Sequence, residues 1–212
     1  MNALPADLPL LRCSKHLFGP VSADPQAAPW PEVTAIALRE TSSGGEPQQG
    51  TWIKVAWSPE ALRVLFWVED TCVWSTMTRR DDLLYKEEVV EIFLDPAGDL
   101  QSYFEFEVNP VNAVLDLIVW PGKEEFRKDF QWRCEGLQTA VQRSPVGWCA
   151  EFSIPFASLG AAPSGSWRAN FYRIDRPRET AAEYSAWSPT GQPKFHVPAR
   201  FGILEFEGGN PD

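Results

Sequence analysis

The run Tyr85-Lys86-Glu87-Glu88-Val89-Val90-Glu91-Ile92-Phe93-Leu94-Asp95, closed by the turn Pro96-Ala97-Gly98-Asp99, decides the fold. Side chains alternate along an extended strand, so Val89, Glu91 and Phe93 share one face while Glu88, Val90, Ile92 and Leu94 share the other. Glu91 is thereby fixed on a mostly apolar surface with Tyr85 just upstream. A carboxylate so placed is costly unless something pairs with it or is bound by it, which makes Glu91 the first candidate functional residue.

The same alternation recurs on both sides. Upstream, Trp52–Trp57 and Ala61–Glu69 flank Ser58-Pro59-Glu60 as a β-hairpin, and Glu32–Glu40 reads as an earlier strand. Downstream, Tyr103–Asn109 alternates strictly, turns at Pro110-Val111-Asn112 and returns as Ala113–Trp120, with Tyr103, Glu105, Glu107 and Asn109 on one face. Gln131–Glu135 reads as extended; Leu137–Gln142, Trp148–Ile154, Ser166–Ile174, Tyr184–Ser188 and Phe201–Phe206 follow, with one helical turn at Phe156–Leu159. About ten short strands with almost no helical periodicity predict an all-β fold, a single β-sandwich of jelly-roll or immunoglobulin-like type. Residues 1–50 read as an N-terminal extension plus the first strand of this domain, 51–206 as its body and 207–212 as a tail.

The chain carries a net charge of -10 with no basic run, which excludes nucleic acid and anionic membranes as partners and leaves a neutral or cationic ligand. Ten Trp, four Tyr and thirteen Phe are many for this length, and such rings either fill a core or form flat platforms for ligands, which composition does not separate. The first residues have neither a basic start nor an unbroken apolar run, so the expectation is a cytoplasmic protein, or a secreted or periplasmic one if a leader precedes Met1. Cys13, Cys72, Cys134 and Cys149 lack metal-ligand or redox spacing and read as free thiols.

Catalytic signatures are sparse. The two histidines, His16 and His196, support no triad, and neither a nucleophile elbow nor a phosphate-cradling loop occurs. Glu91, Glu105 and Glu107 offer the paired carboxylates that glycoside hydrolysis requires, which keeps a hydrolytic role as a third reading. Haem ligation would fall to Met77, His16 and His196, which form no convincing pair. Loop carboxylates at Asp70, Asp81, Asp82, Asp95 and Asp99 make a structural calcium ion a candidate cofactor, although their spacing fits no EF-hand. Saccharide binding fits best, because it needs aromatic faces for the C–H side of a sugar ring and fixed polar groups for its hydroxyls. Tyr85 and Phe195 supply such faces from loops, with Trp187 and Trp74 as further candidates and His196 beside Phe195.

Several segments together resemble the carbohydrate-binding module family 9-like group of the DOMON-like β-sandwich superfamily. They are Leu62–Asp70 (LRVLFWVED), Glu88–Asp95 (EVVEIFLD), Tyr103–Pro110 (YFEFEVNP), Trp148–Pro155 (WCAEFSIP), Asn170–Arg173 (NFYR) and Phe201–Leu204 (FGIL), spread over residues 50–206. The resemblance implies that a glycan end is clamped between two aromatic rings; the family's paired tryptophans fall at Tyr85 and Phe195. It implies a sugar-binding carboxylate at Glu91, and it puts Glu107 where the family carries a binding arginine, a reversal of charge that Arg173 could offset from a neighbouring strand. It also implies calcium in some members. The expected ligand set is therefore Tyr85, Glu91, Glu107, Asn109, Arg173, Phe195, Trp187 and His196. The principal alternative is an interaction or structural module whose pocket is closed by its own side chains.

Overall fold

A computed structural model describes residues 7–122, 126–178 and 181–208. The expected tail is described only as far as Gly208. Among the described residues there are fourteen strands: β1 (Leu10–Lys15), β2 (Ile36–Ala37), β3 (Arg39–Glu40), β4 (Thr51–Trp57), β5 (Ala61–Glu69), β6 (Val89–Asp95), β7 (Tyr103–Val108), β8 (Val114–Trp120), β9 (Arg127–Asp129), β10 (Gln138–Ser144), β11 (Gly147–Pro155), β12 (Ser166–Asp175), β13 (Glu183–Ala186) and β14 (Gly202–Phe206). The only α-helix among the described residues is α1 (Phe156–Leu159), the expected single turn.

The strands form a β-sandwich. One sheet runs β10-β11-β5-β4 and the other β14-β12-β6-β7-β8-β9. They are stitched by β1, whose Leu10–Cys13 portion pairs parallel to β14 and whose Ser14–Lys15 portion pairs parallel to β4. Alternation fills the space between them: Ile53, Val55, Val64 and Phe66 from one sheet meet Val90, Ile92, Phe106 and Phe171 from the other. Phe66 bridges the layers, packing edge-on against Phe152 at 5.9 Å and Phe171 at 6.4 Å. Burying a ring of this size stabilises the fold by about 1.5–3 kcal/mol.

The strand count exceeds the expected ten because short segments escape a reading based on period. Glu32–Glu40 is not one strand: β2 pairs with β4 in one sheet and β3 with β13 in the other, so the chain changes sheets at the buried Leu38. Residues 131–135 are not a strand either; the backbone N–H of Cys134 is instead taken by the buried carboxylate of Asp116 at 2.7 Å, and the neighbouring β9 pairs with β8. Nor did alternation flag β1, six residues with just one partner strand along each part of its length.

The outer face of the second sheet is also buried. Phe93, Tyr103, Tyr172, Phe195 and Phe201 form a separate apolar cluster with Leu84 and Leu115, to which the β5–β6 and β13–β14 loops contribute. A face that sandwiches commonly leave to water is thus turned into a second, partly polar interior.

Candidate functional site

Register builds the floor of a cavity on this outer face. Glu91 of β6 lies directly opposite Glu107 of β7 and, on its other side, Tyr172 of β12. One step along, Phe93 lies opposite Glu105. Since directly opposed residues share a face, the three glutamates converge, with carboxylate oxygens within 4.8 Å of one another and all three residues buried. Above Glu91 and Glu105 opens a cavity of about 500 Å³. Tyr85, Phe195, Phe126 and Tyr184 give it aromatic walls, and Lys128, His196, Arg176 and Lys194 give it polar ones. A smaller cavity of about 260 Å³ lies on the other sheet beside Trp52 and Trp67, without a buried charge in its lining.

The floor is electrostatically tense. Lys128 Nζ is 3.3 Å from each Glu105 oxygen and is the near cation. Burial, followed by the charge of Glu105, pushes Glu91 well above the usual carboxylate range, with Lys128 opposing. Burial and then Glu91 and Glu105 do the same to Glu107. Glu91 Oε1 and both oxygens of Glu107 receive no hydrogen bond from the described residues. His196 lies between the rings of Phe93 (5.1 Å, 19°) and Phe126 (5.1 Å, 36°), its Nδ1 2.6 Å from the Tyr103 hydroxyl. Burial lowers its pKa to about 4, Glu105 working against that shift and Lys128 with it, so the ring is neutral near pH 7.

Two buried polar groups hold the loops that form the walls. Glu87 accepts from Ser75 Oγ at 2.8 Å and from the Thr76 backbone at 2.7 Å, which fixes the segment leading to the Leu84–Lys86 turn and Tyr85. Asn170 brackets Ser188, accepting from its N–H at 2.9 Å and donating to its carbonyl at 2.8 Å, at the start of the loop that carries Phe195.

Of the expected ligand residues, Tyr85, Glu91, Phe195 and His196 line the cavity, and Glu107 lies buried beside Glu91. The other three lie elsewhere. Asn109 donates to Ser75 Oγ and the Met77 carbonyl, both at 2.8 Å, and accepts from the Val111 and Ala113 backbones, so all its capacity goes into loop structure. Trp187 packs on Phe171 in the sandwich interior at 5.7 Å. Arg173 opposes Val90 and therefore points to the inner face, where its Nη2 is 3.1 Å from Asp70, 3.4 Å from Asp175 and 3.8 Å from Glu88. Strict alternation from Tyr172 already separates Arg173 from Glu91. Phe126, Lys128, Arg176, Tyr184 and Lys194 escaped the sequence reading because they sit in or beside loops whose side-chain direction no periodicity reports.

Among the described residues, most of the loop carboxylates are engaged by neighbouring side chains and turns. Asp81 pairs with Arg133 at 2.5 Å, Asp82 with Arg79 at 3.1 Å, Asp95 accepts from Gly98 and Leu100 to close its turn, and Asp99 accepts from Gln101. Asp70 does gather with Glu88 and Asp175. The guanidinium of Arg173 already holds the position a cation would take there, so these residues fit a calcium ion poorly. Trp74, the remaining aromatic candidate, donates its indole N–H to the Arg176 carbonyl at 2.6 Å.

Comparison with known proteins places this geometry in context. The model of the family described as carbohydrate family 9 binding domain-like matches residues 24–209. A protein of Arthroderma benhamiae named extracellular protein is 27% identical over 195 residues, covering 84% of this chain and 87% of its own. Among solved structures, a Bacteroides uniformis protein proposed to bind carbohydrate superposes with a TM-score of 0.78 at 20% identity, over 93% of this chain and 99% of its own. A family 9 carbohydrate-binding module of Caldicellulosiruptor kristjanssonii, solved with cellotriose, superposes with a TM-score of 0.71 at 20% identity, over 95% of each chain; its glucose complex gives 0.72 over 96% and 98%.

Proposed function

Because this chain belongs to the carbohydrate family 9 binding domain-like family, we propose that the cavity above β6, β7 and β12 holds the end of a glycan without transforming it. The observation that carries this reading is the cavity itself: about 500 Å³, open, walled by Tyr85, Phe126 and Phe195 and floored by Glu91 and Glu105. Its size and its mixture of aromatic faces with few convergent polar groups suit one or two sugar rings. Tyr85 and Phe195 are the two clamping walls, with Phe126, 41% exposed, as a third ring. Glu91, Glu105, Lys128 and His196 are the partners for hydroxyls. Asn109, Arg173 and Trp187 act behind the site by holding its frame.

A binding role is favoured over hydrolysis by the way the carboxylates are arrayed. Glycoside cleavage needs two of them on opposite sides of the scissile bond. Glu91, Glu105 and Glu107 all rise from one face of an adjacent strand pair, beneath whatever the cavity holds. The name of the Arthroderma relative supports the secreted alternative over the cytoplasmic one.

Calorimetric titration with glucose, cellotriose and a panel of other mono- and oligosaccharides tests the proposal. Saturable binding is expected, weakened at least tenfold by Tyr85→Ala, about the 1.4 kcal/mol that one aromatic contact is worth, with the melting temperature unchanged. A flat response across the panel would leave the interaction module standing instead. Release of reducing sugar from an aryl glycoside, lost in Glu91→Gln, would move the assignment to hydrolysis.

A further inference from the structure

Building on the carbohydrate-binding reading, we propose that the cavity selects saccharides bearing a free, protonated amine, such as an unsubstituted amino sugar or the end of a deacetylated aminoglycan. The ammonium sits against Glu91 and Glu105, with Glu107 behind them.

Charge and hydrogen-bond capacity both point this way. Three buried carboxyl groups share the floor, and among the described residues the cation in contact with them is Lys128, which spends itself on the two oxygens of Glu105. Glu91 Oε1 and both Glu107 oxygens are buried and without a hydrogen-bond partner among the described residues. Leaving such groups unpaired is expensive, so the floor gains most from a ligand that brings several donors and a positive charge to one point. A sugar hydroxyl brings one proton and no charge. An ammonium brings three N–H donors and a charge that favours release of the proton burial holds on Glu91, so its bonds there become charge-assisted, roughly twice as strong as neutral ones.

The surroundings narrow the ligand further. A divalent ion in the same place would lie beside the Lys128 ammonium, which already spans the oxygens of Glu105. The remaining cations in the lining, Lys194 and Arg176, belong to the loops that wall the cavity and not to the strands of its floor; Arg176 is engaged by the Tyr85 carbonyl at 3.3 Å and the Tyr184 hydroxyl at 3.2 Å. Positive charge is therefore wanted at the floor and not at the walls, the pattern of a sugar with a single amine and otherwise neutral hydroxyls. N-acetylation removes the charge and two of the three donors, so the same floor discriminates against the acetylated sugar.

The test is calorimetry on the full chain at about pH 6, where a sugar amine is protonated, and at about 0.15 M salt, where the diffuse attraction of an acidic protein for any cation is screened. D-glucosamine, D-glucose and N-acetyl-D-glucosamine are compared, together with their β-1,4-linked trisaccharides. The expected result is at least tenfold tighter binding of the amine-bearing ligand than of either neutral one, with the ratio falling towards one in Glu91→Gln and in Glu105→Gln. Two variants are used so that loss of folding in one, monitored by melting, leaves the other informative. Equal or tighter binding of glucose overturns the amine preference while the carbohydrate reading stands. No binding by any of the six sugars overturns both. A preference that survives in both variants overturns the assignment of the ammonium to this floor.

Discussion

Tyr172 lies flat against Phe195, with ring centroids 4.2 Å apart and planes inclined by 17°, and its hydroxyl donates to the Phe195 carbonyl at 2.9 Å. The same hydroxyl accepts from Asn170 at 2.8 Å. One strand residue thus fixes both the ring and the backbone of a loop that walls the cavity.

Tyr172→Phe keeps the stack and removes the hydroxyl, which leaves an Asn170 N–H without a partner and the Phe195 carbonyl with the Val197 N–H alone. The expected cost is about 1–3 kcal/mol. At about 2–4 °C per kcal/mol for a chain of this size, the fall is readable by calorimetry. Sugar affinity should weaken as well, because the wall is no longer held; an unchanged affinity would show that Phe195 is not part of the binding surface.

Arg173 is expected to act on stability. Its guanidinium stands among Asp70, Glu88 and Asp175, and burial with the neighbouring acids raises Glu88 to about 9 even against the pull of Arg173. Removing the cation in Arg173→Met leaves three buried acids without their counterion, a loss of about 3–5 kcal/mol by analogy with other broken buried pairs. Urea denaturation checks this. A variant that melts like the wild type but fails to bind sugar would return Arg173 to the ligand set.

How far the sequence could be read follows from where alternation applies. In β6, β7 and β12 each residue's face is fixed by its neighbour's, so the placing of Glu91 and of the carboxylates of β7 was legible before any coordinates. The same rule assigns Arg173 to the face opposite Tyr172, so the charge reversal at Glu107 is not offset from that strand. Lys128 and Phe126 show the limit. They reach the cavity because the edge strand β9, three residues long and directly after Phe126, pairs with β8, and a pairing so short leaves no pattern to read. Asn109 reads as a ligand residue from its face alone; that its amide is fully engaged by a turn and a distant loop is information carried by tertiary contact.

Glu107 should make the protein more stable when its charge is removed. Its folded pKa lies well above the ordinary value of 4.5, so the folded state holds its proton more tightly than the unfolded one. That contribution is complete below about pH 4.5 and is lost as pH rises through the folded pKa. Glu107→Gln, which cannot ionise, is therefore expected to match the wild type near pH 4.5 and to melt several degrees higher at pH 8. A difference between the two that is constant across that range would mean that Glu107 is not held protonated by its surroundings.

His196 works in the opposite sense. Its folded pKa of about 4 lies below the ordinary 6.5, because burial among Phe93, Phe126 and Tyr103 disfavours the imidazolium. Between those values the unfolded chain takes up a proton that the folded one refuses, so the contribution is complete above about pH 6.5 and is lost as pH falls towards 4. Each unit of such a shift corresponds to about 1.4 kcal/mol. The wild type should accordingly lose melting temperature on acidification from pH 6.5 to 4, and His196→Gln should lose distinctly less. In the Glu107→Gln background, where the carboxyl no longer gains stability as the His loses it, the acid-side fall should steepen. If His196→Gln and the wild type run parallel over this interval, the imidazole is not neutral in the folded protein and its place between the two rings must be stabilised by a charge from Glu105, 4.0 Å away.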